Sequence, residues 1–242
     1  MRLIWVGHRR GATPSRSHAT WELTLTPTQI RTLFSRFEAA DPSPKTELSY
    51  TSPYTLVVAV ALSAQATDVS VNKATARLFA LADTPEAMVA LGLEQVTDQI
   101  RTIGLFRNKA KNVIALSQIL LDRHGGEVPL EREALQALPG VGRKTASVVL
   151  NELGVEAAVA VDTHVFRVAH RLGLSKGKTP DAVEKQLKAV IPKPWLQRAH
   201  HWLILHGRYV CVARNPKCDI CPMADLCPSR AKPPPARPKT RA

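Results

Sequence analysis

Along much of the chain, apolar residues return at intervals of three and four. Ile30, Leu33, Phe34 and Phe37 form one such stripe, and Val183, Leu187, Val190 and Ile191 form another. This is the spacing of a helix that buries one face. Helix starts are marked by a hydroxyl residue followed by proline, at Thr26-Pro27, Ser52-Pro53, Thr84-Pro85 and Thr179-Pro180. The hydroxyl accepts a backbone N–H that would otherwise go unpaired, and proline at the first helical position gives up no hydrogen bond. Further helices are predicted near residues 69–80, 107–122, 144–153, 163–171 and 197–209. Strand-like alternation is confined to Glu22–Thr26, too short and isolated to found a sheet. The pattern therefore predicts an all-α chain without internal repeats. The Pro-rich stretch Lys232–Pro238 cannot continue a helix and reads as an extended tail.

With 242 residues, 45% of them apolar, the chain has material for one large domain or two lobes, and its core needs no disulfides. The longest apolar run, Leu56–Leu62, falls far short of the roughly 20 residues that cross a bilayer, so a soluble protein with no membrane partner is expected. Its 33 basic and 20 acidic residues leave a net charge of +13, which favours a polyanionic partner. Nine of these charges lie in acid-free ends, before Glu22 and after Cys227, leaving only +4 between them. Bulk charge thus does not establish DNA binding by the folded part, and the ends read either as solvated arms or as a transient grip on phosphates. The acid-free N-terminus has the composition of a transit peptide, but its Gly and Pro interruptions break an amphipathic helix.

All four cysteines, Cys211, Cys218, Cys221 and Cys227, fall within 17 residues at the spacing C-x6-C-x2-C-x5-C. Nothing indicates secretion, so disulfides are disfavoured, and four clustered thiolates suit either tetrahedral zinc or an iron–sulfur cluster. Zinc sites usually pair two short C-x2-C knuckles, whereas one is present here. Arg214 and Lys217 lie between the first two cysteines, either to grip phosphate or simply solvated.

Residues 135–150 read L-Q-A-L-P-G-V-G-R-K-T-A-S-V-V-L, two helical pieces around P-G-V-G. Gly140 and Gly142 permit positive φ and close backbone approach, so N–H groups there and at the next helix start can face a phosphate, with Arg143 and Thr145 beside them. This is a helix-hairpin-helix DNA-binding element. Lys144 stands in the first turn, where the helix dipole opposes a cation. One reading makes it a surface phosphate ligand, the other a partly desolvated nucleophile. In V-D-T-H-V-F-R-V (161–168), Asp162 reads as a helix N-cap, as a group stabilising charge at a cleft edge, or as both.

The order of L-P-G-V-G-R-K-T-A, V-D-T-H-V-F-R-V, H-W-L-I-L-H-G-R-Y (201–209) and the cysteine pattern resembles the endonuclease III family, as does L-S-A-Q-A-T-D-V-S-V-N-K (62–73) upstream; the resemblance covers Thr26–Cys227. It implies a six-helix barrel over 46–156 carrying the hairpin, and a cluster lobe formed by 26–45 and 157–227. A basic arm (1–25) and a basic tail (228–242) flank them. It also implies one 4Fe-4S cluster on the four cysteines, and a monomer acting in the bacterial cytoplasm on double-stranded DNA that contains damaged pyrimidines or abasic sites. By the same resemblance Lys144 attacks the deoxyribose to form a Schiff base, Asp162 assists, and Gln65 and Leu105 fill the gap left by the extruded nucleotide. Asp68 and His164 line the base pocket. His200, His201 and His206 are assigned to support of the cluster lobe. Ser147 departs from the family pattern, in which Asn is common. A mismatch adenine glycosylase of the same fold is disfavoured because such relatives lack a lysine matching Lys144, and a pure electron-transfer module would not require the Lys144 and Asp162 pairing.

Overall fold

The computed structural model describes residues 24–230, so the basic arm through Leu23 and the Pro-rich tail from Ala231 lie outside the described residues. Those described form ten helices and no strand: α1 (Pro27–Ala40), α2 (Pro53–Leu62), α3 (Asp68–Phe79), α4 (Pro85–Gln99), α5 (Phe106–His124), α6 (Arg132–Gln136), α7 (Arg143–Glu152), α8 (Thr163–Arg171), α9 (Pro180–Val190) and α10 (Lys193–Tyr209). Each hydroxyl–proline pair opens a helix as expected, with Thr26, Ser52, Thr84 and Thr179 accepting from the backbone N–H three residues on. Thr24–Thr26 leads into the cap of α1 rather than forming a strand. Helix α4 is broken at Gly92, whose φ of 81° no helix accommodates.

The apolar side chains gather into two cores. The first runs from Leu48 to Leu150 and joins α2–α7, a six-helix barrel around α2, in which every residue from Tyr54 to Leu62 is buried. That explains why Leu56–Leu62 is apolar on all sides: a helix surrounded by others has no solvent face to keep polar. Burying each such Val or Leu contributes about 1.5–3 kcal/mol.

The second core packs α1 with α8, α9, α10 and Met223 of the cysteine-bearing segment. Phe37 stacks on Trp202 at 6.1 Å. Polar ties hold α1 in place: Glu38 accepts from Trp195 and Arg198, and Arg36 reaches both Asp225 and the Pro222 carbonyl. Helix α10 crosses α8 at Gly207, where a β-carbon would stand 2.9 Å from His164 Cβ. The approach is possible only because glycine has none. Arg208 on α10 spans the lobes to Glu47 and Asp68, and Arg143 on α7 spans them to Asp181 and Glu184 on α9. Between the lobes lies a cleft. Among the described residues no helix is long and apolar enough to cross a membrane.

Candidate functional site

The cleft has a volume of about 750 Å³ and is lined from both lobes by Lys144, Asp162, Asp68, His164, Gln65 and Thr145. Lys144 sits in the first turn of α7 and is exposed, as a surface cation would be, and not partly desolvated as the second of its two readings had it. Asp162 is the N-cap of α8, its Oδ1 accepting from Val165 N at 2.7 Å. One carboxylate oxygen is thus tied to the helix while the side chain still faces the cavity. Asp68 is held by the Arg208 guanidinium, which also engages Glu47. His164 Nδ1 lies 3.2 Å from Arg167 Nη2.

The hairpin joins α6 to α7 through a turn in which Gly140 alone takes positive φ, at 80°, and a β-carbon there would press within 3.1 Å of Asn112. Gly142 instead is the extended N-cap of α7, with φ −83° and open space where a β-carbon would stand. No side chain caps α7, so the first N–H groups of Arg143–Thr145 remain for an anion. Arg143, read from the sequence as a DNA ligand, is paired with Asp181 and Glu184.

Gln65 and Leu105 share two unusual features. Both are exposed and both hold left-handed backbone, with φ 55° and 60°, a conformation that is uncommon in non-glycine residues and disfavoured for leucine. They also stand together: the Gln65 carbonyl oxygen is 4.0 Å from where a β-carbon of Gly104 would be. Leu105 is 60% exposed although a leucine here would ordinarily join the core.

Several cleft residues escaped the sequence reading. His200 and His201, buried on α10 of the cluster lobe, also line the cleft, while His206 of the three stands at the cysteines, its Nε2 3.7 Å from Cys221 Sγ. Complete burial, reinforced by the His201 and Lys144 charges, pushes His200 down to about 3 and keeps it neutral. His201 Nε2 lies 3.0 Å from Glu152 Oε2. Burial pushes the Glu152 carboxyl up, but His201 and the Tyr50 hydroxyl together hold it below its ordinary value. Arg208 had a signal in the sequence, as a cation shortly after the apolar stretch Trp202–Leu205 near the end of α10.

All four cysteines are free and line one small cavity of about 30 Å³. Among the described residues no trio of His, Cys, Asp or Glu side chains is gathered as one ion requires. Four thiols lining one space can supply one ligand to each iron of a four-iron cluster. Burial and the neighbouring thiols push Cys221 and Cys227 up, a penalty that iron binding relieves. Arg171 Nη1 donates to Cys211 Sγ at 3.5 Å and to the Val212 carbonyl at 2.7 Å, and its second nitrogen to the Ala213 carbonyl at 2.9 Å, fastening the loop to α8. Arg214 and Lys217 are exposed on that loop.

Residues 58–193 match the family model of HhH-GPD superfamily base excision DNA repair proteins. Fold and cleft together therefore define a helix-hairpin-helix DNA glycosylase of base excision repair. Residues 211–227 match the iron–sulfur binding domain of endonuclease III. Endonuclease III of Rickettsia conorii is 57% identical over 198 residues, 82% of this chain and 94% of that protein. Endonuclease III of Escherichia coli K12 is 53% identical over 200 residues, 83% and 95% of the two chains. The solved structure of a trapped endonuclease III–DNA covalent intermediate matches with a TM-score of 0.78 at 45% identity, covering 85% of this chain and 97% of that one. The chain belongs to the endonuclease III family. It is a bifunctional DNA glycosylase and abasic-site lyase that binds DNA and carries one 4Fe-4S cluster.

Proposed function

We propose that the chain excises oxidised or ring-saturated pyrimidines from duplex DNA and then nicks the abasic strand by β-elimination through a Lys144 Schiff base. The observation that carries this reading is the presence of Lys144 and Asp162, each at a helix N-terminus, on the wall of one cleft. The Lys144 amine attacks the sugar's anomeric carbon as the bond to the damaged base breaks. Asp162 stabilises the positive charge that develops on the sugar, and its cap bond holds it still while it does so.

An attack at C1′ requires an extruded nucleotide. Exposed Leu105 is suited to wedge into the stack, and Gln65 to hydrogen-bond the orphaned base; their strained backbones stand side by side. Asp68 and His164 line the base pocket. The uncapped start of α7, with Gly140, Gly142, Arg143 and Thr145, receives a backbone phosphate, for which Arg143 exchanges one of its acidic partners. Cys211, Cys218, Cys221 and Cys227 hold the cluster, which braces the loop presenting Arg214 and Lys217 to phosphates. The protein works as a monomer on DNA in the bacterial cytoplasm, with residues 46–156 as the barrel and 26–45 with 157–227 as the cluster lobe.

Borohydride treatment with a thymine glycol duplex should trap a covalent complex, and Lys144→Ala should abolish it. Since Lys144 is exposed, the variant's melting should stay within about 0.5 kcal/mol of the parent. Trapping that survives the substitution defeats the assignment.

A further inference from the structure

Lys109, one turn into α5, is 7% exposed, and its Nζ is sealed from solvent without a hydrogen-bond partner. A buried ammonium without a partner is among the least favourable groups a core can hold. Its place makes this worse. Lys109 N donates to the Leu105 carbonyl in the opening turn of α5, where the helix dipole also opposes a cation, and the only cause acting on its amine is burial, which lowers its proton affinity. Methionine would fill the same space with similar helix propensity and none of these penalties.

What lies above Lys109 suggests its use. Helical side chains lean toward the N-terminus and cover the residues three and four positions earlier. For Lys109 these are Phe106 and Leu105, so its side chain leaves the helix toward the strained Leu105 turn, and that turn approaches the Gln65 carbonyl at Gly104. Helix α5 begins there with no side-chain cap. One turn further along the helix, Asn112 packs against Gly140 of the hairpin. Lys109 thus occupies the stretch of α5 between the exposed leucine and the phosphate-facing turn.

We propose that Lys109 is a positioning residue for the Gln65 and Leu105 pair, its ammonium donating to main-chain carbonyls of the two left-handed turns when they close on an extruded nucleotide. This rests on reading Gln65 and Leu105 as the inserting residues. The amine is kept as a donor held in reserve for the bound state, at the expense of the free protein's stability.

The test compares Lys109→Met, Lys109→Gln and Leu105→Ala in the full-length, cluster-loaded protein. Three readouts are needed: melting temperature, single-turnover base release from a thymine glycol duplex, and fluorescence of 2-aminopurine opposite the lesion. Lys109→Met should melt about 2 °C or more above the parent, yet release base about ten-fold or more slowly, in keeping with a misplaced insertion loop. Its 2-aminopurine signal should fall toward that of Leu105→Ala, and Lys109→Gln, which keeps a donor, should restore most of both. A Met variant that flips and excises like the parent overturns the proposal, as does one whose melting and activity fall together, because the amine would then brace the fold. If Leu105→Ala itself leaves fluorescence unchanged, the insertion reading fails instead.

Discussion

Replacing Asp162 by Asn separates the two tasks assigned to that side chain. In its structural task, Oδ1 accepts from Val165 N at 2.7 Å at the start of α8. Asn caps helices about as well as Asp, so the substitution forfeits only the interaction of a charge with the helix dipole, about 0.3–1 kcal/mol. For a protein of this size that lowers Tm by about 1–4 °C. The chemical task demands much more. A preorganised group that stabilises charge developing in a transition state contributes about 3–4 kcal/mol, a factor of about 10²–10³ in rate. Single-turnover excision from a thymine glycol duplex should therefore slow by about 10²-fold or more, while affinity for the same duplex, measured by fluorescence anisotropy, changes little. Asp162→Ala supplies the control: it loses both tasks, so its rate should match that of the Asn variant while its stability falls by about 1 kcal/mol more, about 2–4 °C in Tm. If Asp162→Asn excises at the parental rate, or if its rate loss is matched by an equal loss of binding, the side chain is a cap and no more.

The hairpin glycines should part company. Gly140→Ala forces a side chain into positive φ and against Asn112, lowering stability by about 1–2 kcal/mol as read by denaturant melts. Gly142→Ala meets nothing within 4 Å and should melt like the parent, yet weaken duplex binding because its methyl enters the space reserved for phosphate; unchanged affinity would remove that turn from the DNA interface. Extraction of iron should bleach the thiolate-to-iron absorption and lower Tm, because four half-buried thiols and the Arg171 ties lose the group that organises them; a colourless protein as purified, with zinc found by metal analysis, would overturn the cluster assignment.

Local chemistry made much of this molecule legible before any fold was known. A hydroxyl before proline starts a helix by bonds that close within three residues, and the four such starts needed no tertiary information. The same holds for the P-G-V-G turn and for cysteines packed into one short segment, whose spacing already restricts what they can bind. Apolar periodicity likewise marked which face of α1 and α9 is buried, although it did not name what covers that face.

Only the folded chain decided which distant groups meet. Lys144 and Asp162 are eighteen residues apart in sequence, and their shared cleft depends on how two separate cores dock. Arg143 looked free because its acidic partners stand on α9, some forty residues on. Nothing local distinguishes His200 and His201, facing Lys144's cleft, from His206 at the cysteines on the same helix. Lys109 gave no local sign of burial, since a lysine in a helix is ordinarily solvated; it lies inside because its neighbours Ala110, Val113 and Leu116 turn that face of α5 into the barrel core. Short-range hydrogen bonding is written in neighbouring residues, whereas charge pairing, desolvation and the reach of an amine to a sugar depend on distances that close only when the helices pack.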